Sequence, residues 1–196
     1  MATAQEILEY WFGNPPAPNG KVWFGGGKSV DDELRVRFGD DVERASKGEL
    51  DEWASTAHGR LALVILLDQL PRNLFRGTAR SFATDPKAQA LAKDAVARAI
   101  DRELAPVERL FMYMPFTHAE DREAQRAGVA LFDRLSSESP KELASTTESF
   151  AKYARMHAAI VERFGRFPHR NALLGRATTD DEKAYLAEHP ENFGTG

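Results

Sequence analysis

Residues 56-TAHGRLALVILLDQLPRN-73 contain the longest apolar run of the chain, Leu61 to Leu67. A helix that is apolar on every side is typical of a protein interior. The stretch therefore predicts a buried central helix from about Thr56 to Leu70, closed by Pro71. A membrane-spanning helix needs about 20 apolar residues, and this run has seven. We expect no segment that crosses a membrane and no membrane partner.

Helix signals continue on both sides of this stretch, and no run of alternating apolar and polar residues predicts a sheet. Thr-x-x-Glu capping boxes begin at Thr3, Thr117 and Thr179. The sequence predicts an all-α fold of eight or nine helices, stacked as antiparallel pairs in one domain over residues 1–196. The predicted helices are 4–12, 29–48, 56–70, 85–103, 106–115, 118–135, 140–164, a short one at 168–174, and one that follows Thr179. The tail 190–196 is predicted to fray.

The segment 13–28 holds three prolines and five glycines, which predicts a loop that Trp23 and Phe24 pin to the core. Its end, Gly25-Gly26-Gly27-Lys28-Ser29, is similar to part of a phosphate-binding P-loop. The full motif needs an earlier glycine where this chain has Val22, and it needs a preceding strand. We therefore interpret the segment as a loop in which Ser29 caps the next helix.

Composition excludes several classes of protein. The chain has 196 residues, a formal net charge of −4 and no cysteine, so disulfides, thiolate nucleophiles and cysteine-based zinc sites are absent. The acidic charge argues against nucleic acid as a partner. The N-terminus lacks the features of a secretory signal, which favours a cytoplasmic protein. The oligomeric state is left open.

Two stretches, 69–84 and 163–179, carry arginines and no acid. Arginine binds carboxylate or phosphate with two parallel hydrogen bonds and stays charged. One interpretation is that the arginines converge on an anion site. The other is that each pairs with an acid from elsewhere, such as Asp68, Asp85, Glu108 or Glu120.

Three residues could supply acid–base chemistry. Asp68 directly follows the apolar run, so its carboxylate is either paired with Arg72 or a general base. His118 is predicted on the first turn of a helix, where the dipole would lower its pKa. His157 fits a core position and Glu120 a capping role. Spacing argues against a metal site of His118, Glu120, His157 and His169, and we predict neither a metal nor a cofactor.

Several motifs together resemble the bacterial domain of unknown function 924 family. They are 67-LDQLPRN-73 with Arg76-Gly77, Asp85, 114-MPFTHAE-120 and 163-RFGRFPHRN-171, with Tyr10-Trp11-Phe12 and Trp23-Phe24 nearer the N-terminus. The resemblance implies an all-helical, tetratricopeptide-like superhelical fold and no particular activity. Its motif residues in this chain are Asp68, Gln69, Arg72, Asn73, Arg76, His118, Glu120, Arg166, His169, Arg170 and Asn171.

Two functional hypotheses follow. In the first, a pocket binds a small anionic ligand, a phosphate or carboxylate, with hydrolase or transferase activity as the expected chemistry. Its candidate acid–base groups are Asp68, His118 and His169. Its candidate ligand-binding residues are Arg72, Asn73, Arg76, Glu120, Arg166, Arg170 and Asn171. In the second, the protein is a tetratricopeptide-like interaction module for a protein partner, with Trp11, Trp23 and Phe24 at the surface, and the polar set is structural.

Overall fold

The structure, a computed structural model, describes residues 1–25 and 27–189. Within these residues there are nine α-helices and no strand, which confirms the predicted all-α fold. The helices are α1 Ala4–Phe12, α2 Gly27–Ser46, α3 Ala57–Val64, α4 Leu70–Leu74, α5 Asp85–Ala97, α6 Pro106–His118, α7 Arg122–Glu138, α8 Ala144–Phe164 and α9 Asp180–Glu188. Short 3-10 helices cover Asp51–Ser55, Ala79–Phe82, Ile100–Glu103, Lys141–Leu143 and Pro168–Arg170. Two π-helical segments cover Lys21–Gly25 and Ile65–Gln69.

The central helix is buried as predicted, because every residue from Leu61 to Leu67 is 0% exposed. Its predicted end at Pro71 is wrong, since α3 continues through the π segment into α4, which contains Pro71. Proline cannot donate to the carbonyl four residues earlier. That carbonyl, of Leu67, instead accepts a hydrogen bond of 2.5 Å from the Thr84 hydroxyl. The freed backbone group is therefore satisfied from the N-terminal side of α5.

The predicted loop over 13–28 is partly wrong. The π segment Lys21–Gly25 lies inside it, and α2 begins at Gly27, two residues before the predicted cap Ser29. The prediction that Trp23 and Phe24 pin the segment to the core is confirmed for Trp23 and wrong for Phe24, which is 68% exposed. The indole of Trp23 is 7% exposed and donates a hydrogen bond of 2.9 Å to the carbonyl oxygen of Trp11. This contact holds the π segment against α1.

The predicted capping box at Thr117 is also wrong. Helix α6 continues through Pro115 and ends at His118, and α7 begins at Arg122. Asp121 is the cap, because its carboxylate accepts a hydrogen bond of 2.7 Å from the Ala124 backbone N–H. His118 thus ends one helix instead of beginning another, and the predicted dipole effect on its pKa does not apply.

The remaining helix predictions agree in part. Capping boxes are present at Thr3 and Thr179. The predicted helix 85–103 is interrupted at Ala99, which has a φ of 56°, and 168–174 is reduced to one 3-10 turn. The predicted frayed tail lies outside the described residues.

Helices that follow one another in the chain also pack together: α6 contacts α5 and α7, and α7 contacts α8. Near the N-terminus, α1 packs on α3 and α2 on α4. The tetratricopeptide-like superhelix remains a prediction of the resemblance. None of the described helices is both long and apolar enough to cross a membrane.

Candidate functional site

A cavity of about 160 Å³ lies among α4, α6, α8 and the 3-10 turn Pro168–Arg170. We call it the polar cavity. Among the described residues its wall carries three arginines and three histidines and no aspartate or glutamate. Its lining residues are Trp23, Phe24, Gln69, Arg72, Asn73, Arg76, Ser81, Phe82, Met114, His118, His157, His169 and Arg170. The wall thus offers mainly hydrogen-bond donors and positive charge.

Directly behind this wall, Asp68 pairs with His118. Nδ1 of His118 lies 2.8 Å from Oδ1 and 2.9 Å from Oδ2 of Asp68, and Gln69 Nε2 donates to Oδ2 at 2.5 Å. Burial raises the pKa of Asp68, but the charge of Arg72 and the hydrogen bonds from His118 and Gln69 outweigh burial and hold that pKa below its usual value. Asp68 is therefore an ionised acceptor at neutral pH.

The histidine of this pair is neutral. Burial and the nearby positive charge of Arg72 lower the pKa of His118, and Asp68 opposes them only in part. Because the Asp68 carboxylate accepts a proton donor, Nδ1 carries the hydrogen and Nε2 is left with a free lone pair. No described residue donates a hydrogen bond to Nε2. A neutral imidazole held by a carboxylate in this way is able to act as a general base.

Asp85 joins two arginines of the wall. Nη1 and Nη2 of Arg72 donate to its two carboxylate oxygens at 2.9 and 3.0 Å. Nη1 of Arg170 donates to Oδ2 at 3.4 Å and to the carbonyl oxygen of His118 at 3.1 Å. Burial lowers the pKa of Arg72, but Asp68 and Asp85 outweigh burial and raise it above its ordinary value. The carboxylate of Asp85 thus neutralises much of the charge behind the wall.

Arg170 is the least compensated of these arginines. It is 6% exposed, and its guanidinium carbon lies 4.5 Å from the ring centroids of both Phe82 and Phe167. No described residue accepts a hydrogen bond from its Nε or Nη2, and Nε is fully buried. Burial and the charge of Arg72 lower the pKa of Arg170 to about 10. A buried guanidinium with unused donors favours an additional acceptor.

The third arginine, Arg76, is anchored by an acid behind the wall. Its Nε and Nη2 donate to Asp31 at 3.1 and 3.2 Å. Asn73 Nδ2 donates to the same carboxylate at 2.8 Å. Asp31, a residue of α2, therefore holds Asn73 of α4 and Arg76 just after α4 against that helix.

Two further histidines complete the wall. Burial and His118 lower the pKa of His157 to about 3, and burial and Arg170 lower that of His169 to about 4. Nδ1 of His157 donates to the carbonyl oxygen of Tyr153 at 2.8 Å, and its ring lies 6.2 Å from that of His118. All three histidines are therefore neutral at neutral pH and add no positive charge.

Three of the predicted site residues lie in a separate ion-pair network. Nε of Arg166 donates to Glu182 at 2.7 Å, and Asn171 donates to the same carboxylate at 3.2 Å. Glu120 accepts hydrogen bonds from Arg176 at 2.5 and 2.9 Å and from the Phe167 backbone N–H at 2.8 Å. None of Glu120, Arg166 and Asn171 lines the polar cavity. This network docks α9 and the segment 165–176.

The structure thus divides the residues predicted from sequence. Arg72, Asn73, Arg76, His118, His169 and Arg170 line one cavity, and Asp68 lies behind it. Every arginine predicted for the anion site is also paired with an acid. The interpretation as ion pairs therefore holds for all four arginines, and three of them also line the cavity that the anion-site interpretation requires. The lining residues that sequence reasoning did not assign to the site are Trp23, Phe24, Gln69, Ser81, Phe82, Met114 and His157. Of these, Trp23, Phe24, Gln69 and Met114 carried a signal, because they lie in the motifs of the resemblance.

Among the described residues, no group of three or more His, Asp or Glu side chains is arranged to hold a metal ion. A larger cavity of about 570 Å³, which we call the apolar cavity, lies beside the polar cavity. The two share seven lining residues: Trp23, Phe24, Asn73, Arg76, Met114, His118 and His157. Beyond this junction the wall is formed mainly by side chains of α2, α7 and α8.

The sequence model of a family described as "Bacterial protein of unknown function (DUF924)" matches residues 7–190. The fold is similar to that of the protein of unknown function ATU0120 from Agrobacterium tumefaciens, with a TM-score of 0.81 and 40% sequence identity. That similarity covers 94% of this chain and 97% of the other. No curated protein matches the sequence. Because the match spans most of the chain, this protein belongs to the DUF924 family of bacterial proteins of unknown function.

Proposed function

We propose that the polar cavity binds a small organic anion, a carboxylate or a phosphate, beside the Asp68–His118 pair. The observation that supports this most directly is the composition of the wall. As far as the described residues form it, the wall has three arginines and no carboxylate, and the balancing acids lie behind it. Arg170 adds to it, since its Nη2 and Nε have no acceptor among the described residues. Guanidinium groups arranged in this way match the oxygens of a carboxylate or phosphate.

The Asp68–His118 pair extends the proposal to hydrolysis of an ester of such an anion. Nε2 of His118 would take a proton from a water molecule while the water oxygen attacks the carbonyl carbon or phosphorus. The proton would then pass to the departing alcohol oxygen, and Asp68 would stabilise the transient imidazolium. A bound anion also favours the protonated imidazole, which moves the pKa of His118 back toward neutral pH.

A thermal-shift titration with acetate, benzoate and inorganic phosphate tests binding. A ligand at 100 times its Kd adds ~2.7 kcal/mol, which is roughly 5–10 °C for a chain of this length. We expect Arg170→Gln to abolish the shift, because the site loses a guanidinium donor. The variant should still fold, since Asp85 keeps its two hydrogen bonds from Arg72. Arg166→Gln is the matched control, since Arg166 pairs with Glu182 outside the cavity.

Two outcomes contradict the proposal: no anion shifts the wild-type protein, or Arg170→Gln responds like Arg166→Gln. If Arg170→Gln folds poorly, Arg170→Lys takes its place. Lysine keeps the charge and loses the planar fork, so we expect a weakened thermal shift in that variant. Release of p-nitrophenol from p-nitrophenyl acetate and p-nitrophenyl phosphate tests the hydrolytic step, with His118→Gln expected to lose it.

The alternative, a protein interaction module, remains a prediction with less support. Of the three aromatic residues suggested for its surface, Trp11 and Trp23 are buried, and Phe24 alone is exposed, at 68%. Phe24 also lines both cavities, so its position is equally suited to the mouth of a ligand site.

A further inference from the structure

The two cavities together have a charged end and an apolar end. The apolar cavity is about 570 Å³, compared with about 160 Å³ for the polar cavity. Its wall includes Val30 of α2, Phe132 of α7, and Phe150 and Ala154 of α8. Among the residues that the structure describes, its one charged lining residue is Arg76, which stands at the junction. Thr117, Ser149 and Tyr153 also line this cavity, so its polar groups beyond the junction are uncharged hydroxyls. A ligand that filled both cavities would have its charged atoms at one end only.

This asymmetry restricts the ligand. A sugar phosphate or nucleotide would bring hydroxyl or base nitrogens against Val30, Phe132 and Phe150, where buried polar groups without partners are disfavoured. The carboxylates of Asp31, Asp68 and Asp85 offset the charges of the three arginines, so the site has no net positive charge to hold several negative groups. The unused donors of Arg170 provide hydrogen bonds for one. Both constraints select a small head and an apolar remainder.

We propose that the ligand is an amphipathic anion, a carboxylate or phosphate monoester with an unbranched acyl or alkyl tail, and this rests on the proposed anion site. The head lies on the cavity side of Arg170 and Arg72, away from Asp85. The tail passes Met114 into the apolar cavity, where Phe132 and Phe150 form part of the wall. Met114 is suited to the junction because its flexible thioether side chain adapts to irregular apolar shapes. Trp23 lines both cavities, so its fluorescence reports the passage of the tail.

The tail has a measurable consequence. Each methylene that leaves water for an apolar site contributes ~0.8 kcal/mol, which is about a 4-fold gain in affinity. Along acetate, butanoate, hexanoate and octanoate we expect Kd to fall roughly 15-fold at each two-carbon step, until the apolar cavity is full. A parallel series of alkyl phosphates separates the two possible head groups.

Calorimetric titration of the full chain with both series provides the test, with Trp23 emission as a second readout. Ala154→Phe places a ring in the apolar cavity and is expected to abolish the dependence on chain length while acetate or methyl phosphate still binds. Ala158→Phe, one turn later on α8 and outside both linings, is the matched control. If Ala154→Phe fails to fold, Ser149→Trp at the exposed edge of the apolar cavity takes its place.

Each outcome decides between the two proposals. Equal affinity for acetate and octanoate overturns the amphipathic ligand and leaves the anion site standing. Binding of octanol as tightly as octanoate overturns the requirement for a charged head, and with it this inference. Absence of binding by every member of both series overturns the anion site itself.

Discussion

The carboxylate of Asp68 accepts the Nδ1 proton of His118 across fifty positions of the chain, at 2.8 and 2.9 Å. Asp68 lies in the π segment that follows the buried run, and His118 is the last residue of α6. Arg72 Nη1 is 3.7 Å from the same carboxylate. The pair therefore links the central helix to α6 and places one imidazole edge at the cavity.

Because Asp68 is 0% exposed, its removal should destabilise the fold strongly. The charged partner of Asp68 is Arg72. Deleting one partner of a buried ion pair costs about 3–5 kcal/mol, and we expect Asp68→Ala to lose that much. Asp68→Asn keeps the shape but presents an amide, so a smaller loss is expected. Urea unfolding at pH 7 measures both variants. Equal stability of Asp68→Ala and the wild-type protein would show that the pair does not hold the two helices together.

The three histidines of the wall predict a loss of stability in acid. Their folded pKa values lie below the ordinary 6.5, at about 3 for His157 and about 4 for His169. The unfolded chain therefore binds protons that the folded chain does not. Above pH 6.5 these histidines do not lower the free energy of unfolding. As the pH falls from 6.5 toward the folded pKa values, the free energy of unfolding decreases by up to about 1.4 kcal/mol per pH unit for each histidine.

Urea unfolding between pH 7 and pH 5 checks this dependence. His157→Gln should flatten the slope, because one of the three proton-binding differences is removed. His58→Gln changes a histidine outside both cavities and serves as the control. A slope that is the same in His157→Gln and in the wild-type protein would contradict the assignment of His157 as neutral in the folded protein.

Local patterns in the sequence predicted the helices better than the site. The apolar run Leu61–Leu67 specifies a buried helix because its composition allows no exposed face. The Thr117-x-x-Glu120 pattern predicted the start of a helix. In the structure α6, most of whose residues are buried, continues through Pro115 and ends at His118. Glu120 then pairs with Arg176, a long-range contact that no local pattern contains.

Convergence on the site depends on packing between distant segments. Arg166 and Arg170 are four positions apart, and nothing in the sequence around them indicates that their roles differ. Gly165 ends α8 before Arg166, and the 3-10 turn Pro168–Arg170 separates the directions of the two side chains. One guanidinium reaches Glu182 and the other reaches Asp85. Which arginine faces a cavity is therefore decided by the tertiary fold, and spacing alone could not separate the two.

Two glycines in helices provide a paired test of the packing around the central helix. A Cβ at Gly59 would lie 2.2 Å from the Trp53 carbonyl oxygen and 2.8 Å from Oγ1 of Thr56, the cap of α3. We expect Gly59→Ala to cost about 1–3 kcal/mol, as overpacking does. At Gly39 in α2 the nearest atom is 3.9 Å away, so Gly39→Ala should stabilise the protein by about 0.5–1 kcal/mol. Urea midpoints that move in the same direction would contradict this packing.

Asp85 predicts a link between stability and anion binding. Its carboxylate faces both Arg72 and Arg170, so Asp85→Asn removes the carboxylate that these two buried guanidinium groups share. A loss of about 3–5 kcal/mol is expected. An anion that binds the folded state restores stability by mass action. If the polar cavity is an anion site, phosphate should therefore raise the Tm of Asp85→Asn more than that of the wild-type protein. Chloride at equal ionic strength controls for screening, and an equal rise in both proteins would mean that phosphate does not bind beside these arginines.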